Sequence, residues 1–194
     1  MKRKAYVLVF DGMADWEPAH ALCEIKKSGR FEVVAVGFSD EIVTTMGGLR
    51  VVPDISVEAM DPADAAIFIL PGGDMWEQRS NEAVTSILRQ FHKAAVPVAA
   101  ICAATLEIAR ARLTGGVRHT SNGKQYLKAM VPDYADEDSY VELLAVGDKG
   151  VITASGLGSV EFGREIIKQL ELYGDKDTAL WFDMFKHGIL PIED

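Results

Sequence analysis

Val98-Ala-Ala-Ile-Cys-Ala-Ala-Thr-Leu-Glu-Ile-Ala-Arg-Ala111 changes character in its middle. Its first residues continue an apolar, extended run over Val96–Ile101, the pattern of a strand covered on both faces. From Ala103 to Arg112 the stretch reads as a helix. Cys102 stands alone at the junction. It is either filler in a tight space or a nucleophile at the carboxyl end of a strand. Ala99, Ala100, Ala103 and Ala104 keep its surroundings small, as a cramped strand-to-helix elbow requires. The N–H groups and positive dipole end of the following helix are expected to favour thiolate and to lower the thiol pKa from about 8.5.

Working outward, the same alternation of short apolar runs and longer amphipathic ones fills the chain. Strands are predicted over Ala5–Phe10, Phe31–Phe38, Ala65–Leu70 and Val96–Ile101, with helices over Pro18–Ser28, Glu82–Ala94 and Ala103–Arg112. Thr44–Val52 reads as a hairpin around Gly47-Gly48. Val141–Val146 and Val151–Ala154 flank Gly147-Asp-Lys-Gly150 as a second hairpin, and helices over Ser159–Leu170 and Thr178–His187 follow. Continuous apolar strands separated by helices mean a mostly parallel sheet with helices on both faces, an α/β doubly wound sandwich with two hairpins as decorations. No composition shift divides it, so residues 1–194 are read as one domain. Chemistry in such sheets gathers beyond the carboxyl ends of the strands.

The 20 Lys and Arg against 29 Asp and Glu leave a net charge of -9. That argues against nucleic acid and anionic membrane as partners, which need basic surface. Cys23 and Cys102 form no disulfide framework and no C-x-x-C pair, no apolar run is long enough to span a bilayer, and a reducing cytoplasmic location is expected. No His/Cys/Asp/Glu group has metal-ligand spacing, so neither metal nor cofactor is expected.

Pro71-Gly72-Gly73 directly follows a strand, and its glycines let N–H groups turn toward a developing oxyanion. Glu17 lies between the first strand and the first helix. It is either a first-turn acid favoured by the helix dipole or a carboxyl that reaches the cysteine. Beside a thiolate an ionised Glu17 would repel, so it helps only when protonated, and the two would titrate as a coupled pair. His119 and Asn122 stand in Arg118-His-Thr-Ser-Asn122. His20, His92 and His187 fall in helices without a recognisable partner, and Cys23 reads as core. Gly156-Leu-Gly158-Ser159-Val-Glu161 follows a strand and opens a helix, but Glu161 would repel a pyrophosphate, so the loop reads as tight packing near the site.

Six motifs in order, Val7-Leu-Val-Phe-Asp-Gly with Glu17, Met46-Gly-Gly, Leu70-Pro-Gly-Gly73, Ala100-Ile-Cys-Ala103, Arg118-His-Thr-Ser121 and Thr153-Ala-Ser-Gly156, make the chain resemble the PfpI superfamily. That group also contains the Parkinson-disease protein and class I glutamine amidotransferase-like proteins. The resemblance implies a flavodoxin-like sandwich, a homodimer, a reactive Cys102 with Glu17 as its carboxyl partner, and an anion hole of the Gly73 and Ala103 N–H groups. Two departures stand out. Ala103 occupies the position where protease-like and amidase-like members carry histidine, and Asn122 follows Thr120-Ser121 where deglycase-like members carry one. An asparagine amide does not titrate near neutrality and is no general base. His119, three residues earlier, faces the other way in an extended segment and substitutes only if the loop bends, so His119 and Asn122 are both candidates for the third position beside Cys102 and Glu17.

The leading expectation is therefore a cysteine-dependent hydrolase or lyase on small carbonyl or amide substrates (amidase, glyoxalase or deglycase-like), with Trp16 and Trp76 as candidate pocket walls and proteolysis disfavoured. The rival is a stress-response redox sensor or chaperone-like protein without turnover, in which peroxide oxidises Cys102. A third reading is a binding module that kept the fold and lost the chemistry.

Overall fold

The computed structural model describes residues 2–190. Nine strands follow in chain order: β1 (Lys4–Leu8), β2 (Glu32–Gly37), β3 (Val43–Thr44), β4 (Arg50–Val51), β5 (Ile55–Ser56), β6 (Ala65–Leu70), β7 (Val98–Ile101), β8 (Ala145–Asp148) and β9 (Val151–Ala154). Seven of them form one sheet in the order β5-β2-β1-β6-β7-β9-β8, parallel throughout except for the antiparallel β8 edge. The helices are α1 (Trp16–Lys27), α2 (Met75–Gln78), α3 (Glu82–Lys93), α4 (Thr105–Arg110), α5 (Lys124–Met130), α6 (Ser159–Gln169) and α7 (Asp175–His187).

The uninterrupted apolar strands are explained by the two cores they divide. Tyr6, Leu8, Phe68, Leu70, Val98 and Ala100 face one core with Val84, Leu88 and Phe91 of α3 and Leu106 and Ile108 of α4. Their neighbours Ala5, Val7, Ile67, Ile69, Ala99 and Ile101 face the other with Ala21 and Ile25 of α1 and Phe162 and Ile166 of α6. Because successive side chains point to opposite faces, a strand covered on both sides must be apolar at every position. Cys102 packs against both cores, since it sits where the strand layer ends.

Several expectations need correction. The second hairpin is part of the main sheet: β9 pairs in parallel with β7, and β8 closes that edge. Its first arm begins only at Ala145, because Leu143 and Leu144 are exposed and Val141 N–H bonds to the His119 carbonyl at 2.9 Å. Cys23 is exposed, not core; α1 turns Glu17, Pro18, Ala21, Glu24 and Ile25 inward instead. The helix expected from Ala103 starts as a tight turn over Cys102–Ala104 and becomes α-helical only at Thr105. Helix α7 starts at Asp175, three residues earlier than expected. The first hairpin, β3–β4, does stand outside the main sheet.

Candidate active site

Strand β7 ends at Ile101 in extended backbone, and Cys102 then adopts φ 60°, the left-handed region. For a non-glycine residue this costs on the order of 1–2 kcal/mol and must be held by its surroundings. The Thr105 hydroxyl donates to the Cys102 carbonyl at 2.6 Å and spends its only proton there, so the Ser121 hydroxyl, 2.6 Å away, donates to Thr105. The elbow is thus pinned by a helix residue and by the 117–122 segment together. It throws the sulfur outward, toward the loops after β1, β6 and β9.

Glu17, in the first turn of α1, is 1% exposed and brings its carboxyl to the sulfur. The Gly72 N–H donates to Glu17 Oε2 at 2.5 Å, and the Asn122 amide donates from Nδ2 to Cys102 Sγ at 3.3 Å. The other end of that amide is fixed, because Oδ1 accepts from the Gly156 N–H at 2.9 Å. Space around the sulfur is minimal. A Cβ at Gly72 would lie 2.6 Å from Glu17 Oε2 and 2.7 Å from Cys102 Cβ, and one at Gly156 would lie 2.9 Å from Sγ.

Burial pushes the Glu17 carboxyl up, and the hydrogen bonds from Gly72 and with Cys102 only partly offset this. Burial also pushes the Cys102 thiol up; the Asn122 amide and the Ala103 N–H pull it down, while the Glu17 charge pushes it up again. The expected lowering of the thiol pKa is therefore reversed. Cys102 is more than half buried, it lies against a carboxyl, and α4 starts three residues later and runs for only six, so the Ala103 N–H is what is left of the helix effect. Two raised acids in contact titrate as a coupled pair: burial opposes loss of either proton, and the charge left by the first opposes loss of the second.

The remaining candidates fall into place plainly. The Ala103 N–H reaches the sulfur, and the Gly73 N–H, in the same turn as Gly72, has no acceptor among the described residues. His119 is 1% exposed and spent elsewhere: Nδ1 lies 2.7 Å from the Val117 carbonyl and Nε2 2.6 Å from the Tyr134 hydroxyl. Burial pushes its pKa down, so it is neutral, and of the two residues considered for the third position only Asn122 touches sulfur. Trp76 is fully buried, its indole donating to the Pro71 carbonyl at 2.9 Å and its ring edge-on to Phe10. It braces the Pro71–Gly73 turn from behind and has no surface to offer a ligand. Trp16 is 52% exposed at the head of α1.

Sequence reading missed the backbone donors of Gly72 and Gly156, the Thr105–Ser121 pin, and Tyr126 with Glu77, whose hydroxyl and carboxylate meet at 2.8 Å. For the glycines the signal was present in two strand-ending loops. For the Tyr126–Glu77 pair no local signal exists, as 49 residues separate them. Among the described residues no group of His, Cys, Asp or Glu is arranged to hold a metal, and no helix is long and apolar enough to cross a membrane.

A left-handed cysteine at a strand end with a carboxyl against its sulfur is the arrangement the motifs implied, and a model of the DJ-1/PfpI family matches residues 3–169. The chain belongs to the DJ-1/PfpI family. It is 34% identical over 192 residues to the uncharacterized protease YoaZ of Bacillus subtilis, covering 95% of this chain and 91% of that one. A DJ-1 superfamily protein of Agrobacterium tumefaciens, Atu0886, superposes with a TM-score of 0.88 at 33% identity, over 97% of this chain and 99% of that one. The deglycase TK1284 of Thermococcus kodakarensis is 33% identical over 100 residues, 51% of this chain and 60% of that one. The flavodoxin-like sandwich is shared with these DJ-1/PfpI relatives.

Proposed function

We propose that this DJ-1/PfpI protein is a cysteine-dependent enzyme acting on small carbonyl or amide electrophiles. The observation that carries the reading is the contact of Cys102 with a buried carboxyl whose pKa is raised, which makes Glu17 the base that a histidine would otherwise be. Within the singly charged pair the S–H proton passes to Glu17, and the thiolate keeps the Asn122 and Ala103 donors. Sulfur attacks the carbonyl carbon, the S–C bond forms, and the C=O π electrons move to oxygen. The N–H groups of Gly73 and Ala103 receive that oxyanion. Glu17 then returns its proton to the oxygen, giving a hemithioacetal with a carbonyl substrate, or to the amine as the tetrahedral intermediate of an amide collapses and its C–N bond breaks; water then hydrolyses the acyl-cysteine and restores the thiol. No third residue has to titrate, so an asparagine suffices at position 122.

Ala103 departs from the protease-like pattern and Asn122 from the deglycase-like one, so neither the name protease on one relative nor the name deglycase on another carries over unchanged. The protein acts as one domain, in the cytoplasm, and as a homodimer, which light scattering tests. Cys102→Ala with an unchanged far-UV spectrum abolishes turnover of dicarbonyl and small amide substrates if the reading holds; retained turnover ends it. One observation favours a second reading. His119 is locked away from the sulfur, and a stress-responsive redox sensor needs a thiolate but no relay. Stoichiometric peroxide uptake at Cys102 with no turnover would select that alternative over catalysis.

A further inference from the structure

We propose that Glu77, held in place by Tyr126, selects the substrates of the Cys102 site, favouring electrophiles that carry an amine or another cationic, hydrogen-bond-donating group. This rests on the reading of Cys102 as a reactive nucleophile. Both residues are delivered to the site by segments already committed to it. Helix α2, which carries Glu77, starts two residues after Gly73, and α5, which carries Tyr126, starts two residues after Asn122. Their hydrogen bond at 2.8 Å ties these segments together.

Tyr126 packs against the same core as Cys102. Its phenol is pushed well above the usual range by burial, then by Glu77, and also by the charge of Cys102, while the Asn122 amide pulls the other way. The tyrosine therefore stands within electrostatic reach of the sulfur and beside the amide that touches it. Its single proton is given to Glu77 Oε1, so its oxygen can only accept, and it keeps the carboxylate from swinging away. Glu77 itself is exposed, and among the described residues no lysine or arginine pairs with it. Lys124, the basic residue next to Asn122 in the chain, lies over the Tyr140 ring at 5.7 Å instead. What remains is an exposed, oriented carboxylate without a cationic partner, joined to the sulfur through Tyr126 and then the Asn122 amide. A protonated amine on the substrate gains from it, and an anionic group is repelled.

The test uses oppositely charged methanethiosulfonates of similar size, one bearing a primary ammonium and one a sulfonate, in a Cys23→Ser background. The Cys102 thiolate attacks the sulfenyl sulfur, the S–S bond forms, and methanesulfinate leaves, so the readout needs no known substrate. The expected result is a cation-to-anion rate ratio that falls roughly three- to tenfold in Glu77→Gln at about 10 mM ionic strength, the effect fading by about 0.5 M. Tyr126→Phe, which alters no charge, moves the ratio the same way; should it fold poorly, the exposed Glu77→Gln decides alone. Glu32, an exposed carboxylate at the amino end of β2 and so at the opposite end of the sheet, is the control. If Glu32→Gln lowers the ratio as much as Glu77→Gln, the preference is one of net charge and the inference falls. If neither reagent modifies Cys102, the nucleophile reading falls with it.

Discussion

Cys102 and Glu17 have to be treated as one titrating unit, because each is buried against the other and each is pushed up by that burial. The rate of Cys102 alkylation against pH should therefore rise in two steps in the native protein. Glu17→Gln keeps an acceptor for the Gly72 N–H and removes the charge, so the profile should collapse to a single step with a midpoint below the upper native one. An unchanged two-step profile would disprove the coupling. Gly72 makes a second test at this scale. A methyl group there would meet Cys102 Cβ and Glu17 Oε2 at 2.7 and 2.6 Å, with no flexible end able to give way at the cysteine. Gly72→Ala should cost about 1–3 kcal/mol in urea unfolding and slow alkylation of Cys102; full stability would mean the turn relaxes freely.

Among the elements, the segment from Val117 to Asn122 shows how one stretch divides its work. Asn122 serves the sulfur, Ser121 the elbow, and His119 only the fold, through Val117 and Tyr134. His119→Phe leaves the buried Tyr134 hydroxyl and the Val117 carbonyl unpaired and should lower stability by about 2–4 kcal/mol. It should leave the intrinsic alkylation rate of Cys102 unchanged, whereas Asn122→Ala should alter that rate and cost little stability. The opposite pattern would return His119 to the site. This segment also marks the limit of what could be read from sequence. Strands such as Ala65–Leu70 were legible because burial on both faces leaves an uninterrupted apolar run, and Cys102 was legible because its strand stops there. The fate of His119 depended on Tyr134, and that of Tyr126 on Glu77, contacts that only the packed chain brings about. The role of the second hairpin was hidden likewise, since a turn signal does not say which sheet its arms will join.

For the molecule as a whole, two opposing linkages shape stability against pH. The folded state lowers the pKa of His119, so the unfolded chain binds more protons there, and stability is lost as pH falls below about 6.5. The folded state raises Glu17 and Glu107, so the folded chain binds more protons, and stability is lost as pH climbs from the ordinary value of 4.5 through the raised ones. The melting-temperature difference between Glu17→Gln and the native protein should accordingly grow from near zero at about pH 4 to a clear gain for the variant at about pH 8. A constant difference would mean that Glu17 is not held above its ordinary range. One further property follows from the β3–β4 hairpin, which is sewn to the stretch just ahead of Glu17. Thr44 N–H donates to Asp11, Gly12 N–H to Thr44, Met46 N–H to Met13 and Gly47 N–H to Asp15. Four stitches over so few residues make the hairpin and the Glu17 loop a single lever. Its outer end leaves Met46, Leu49 and Val52 bare to solvent, so a displacement there should be felt, through those bonds, in the loop that carries Glu17.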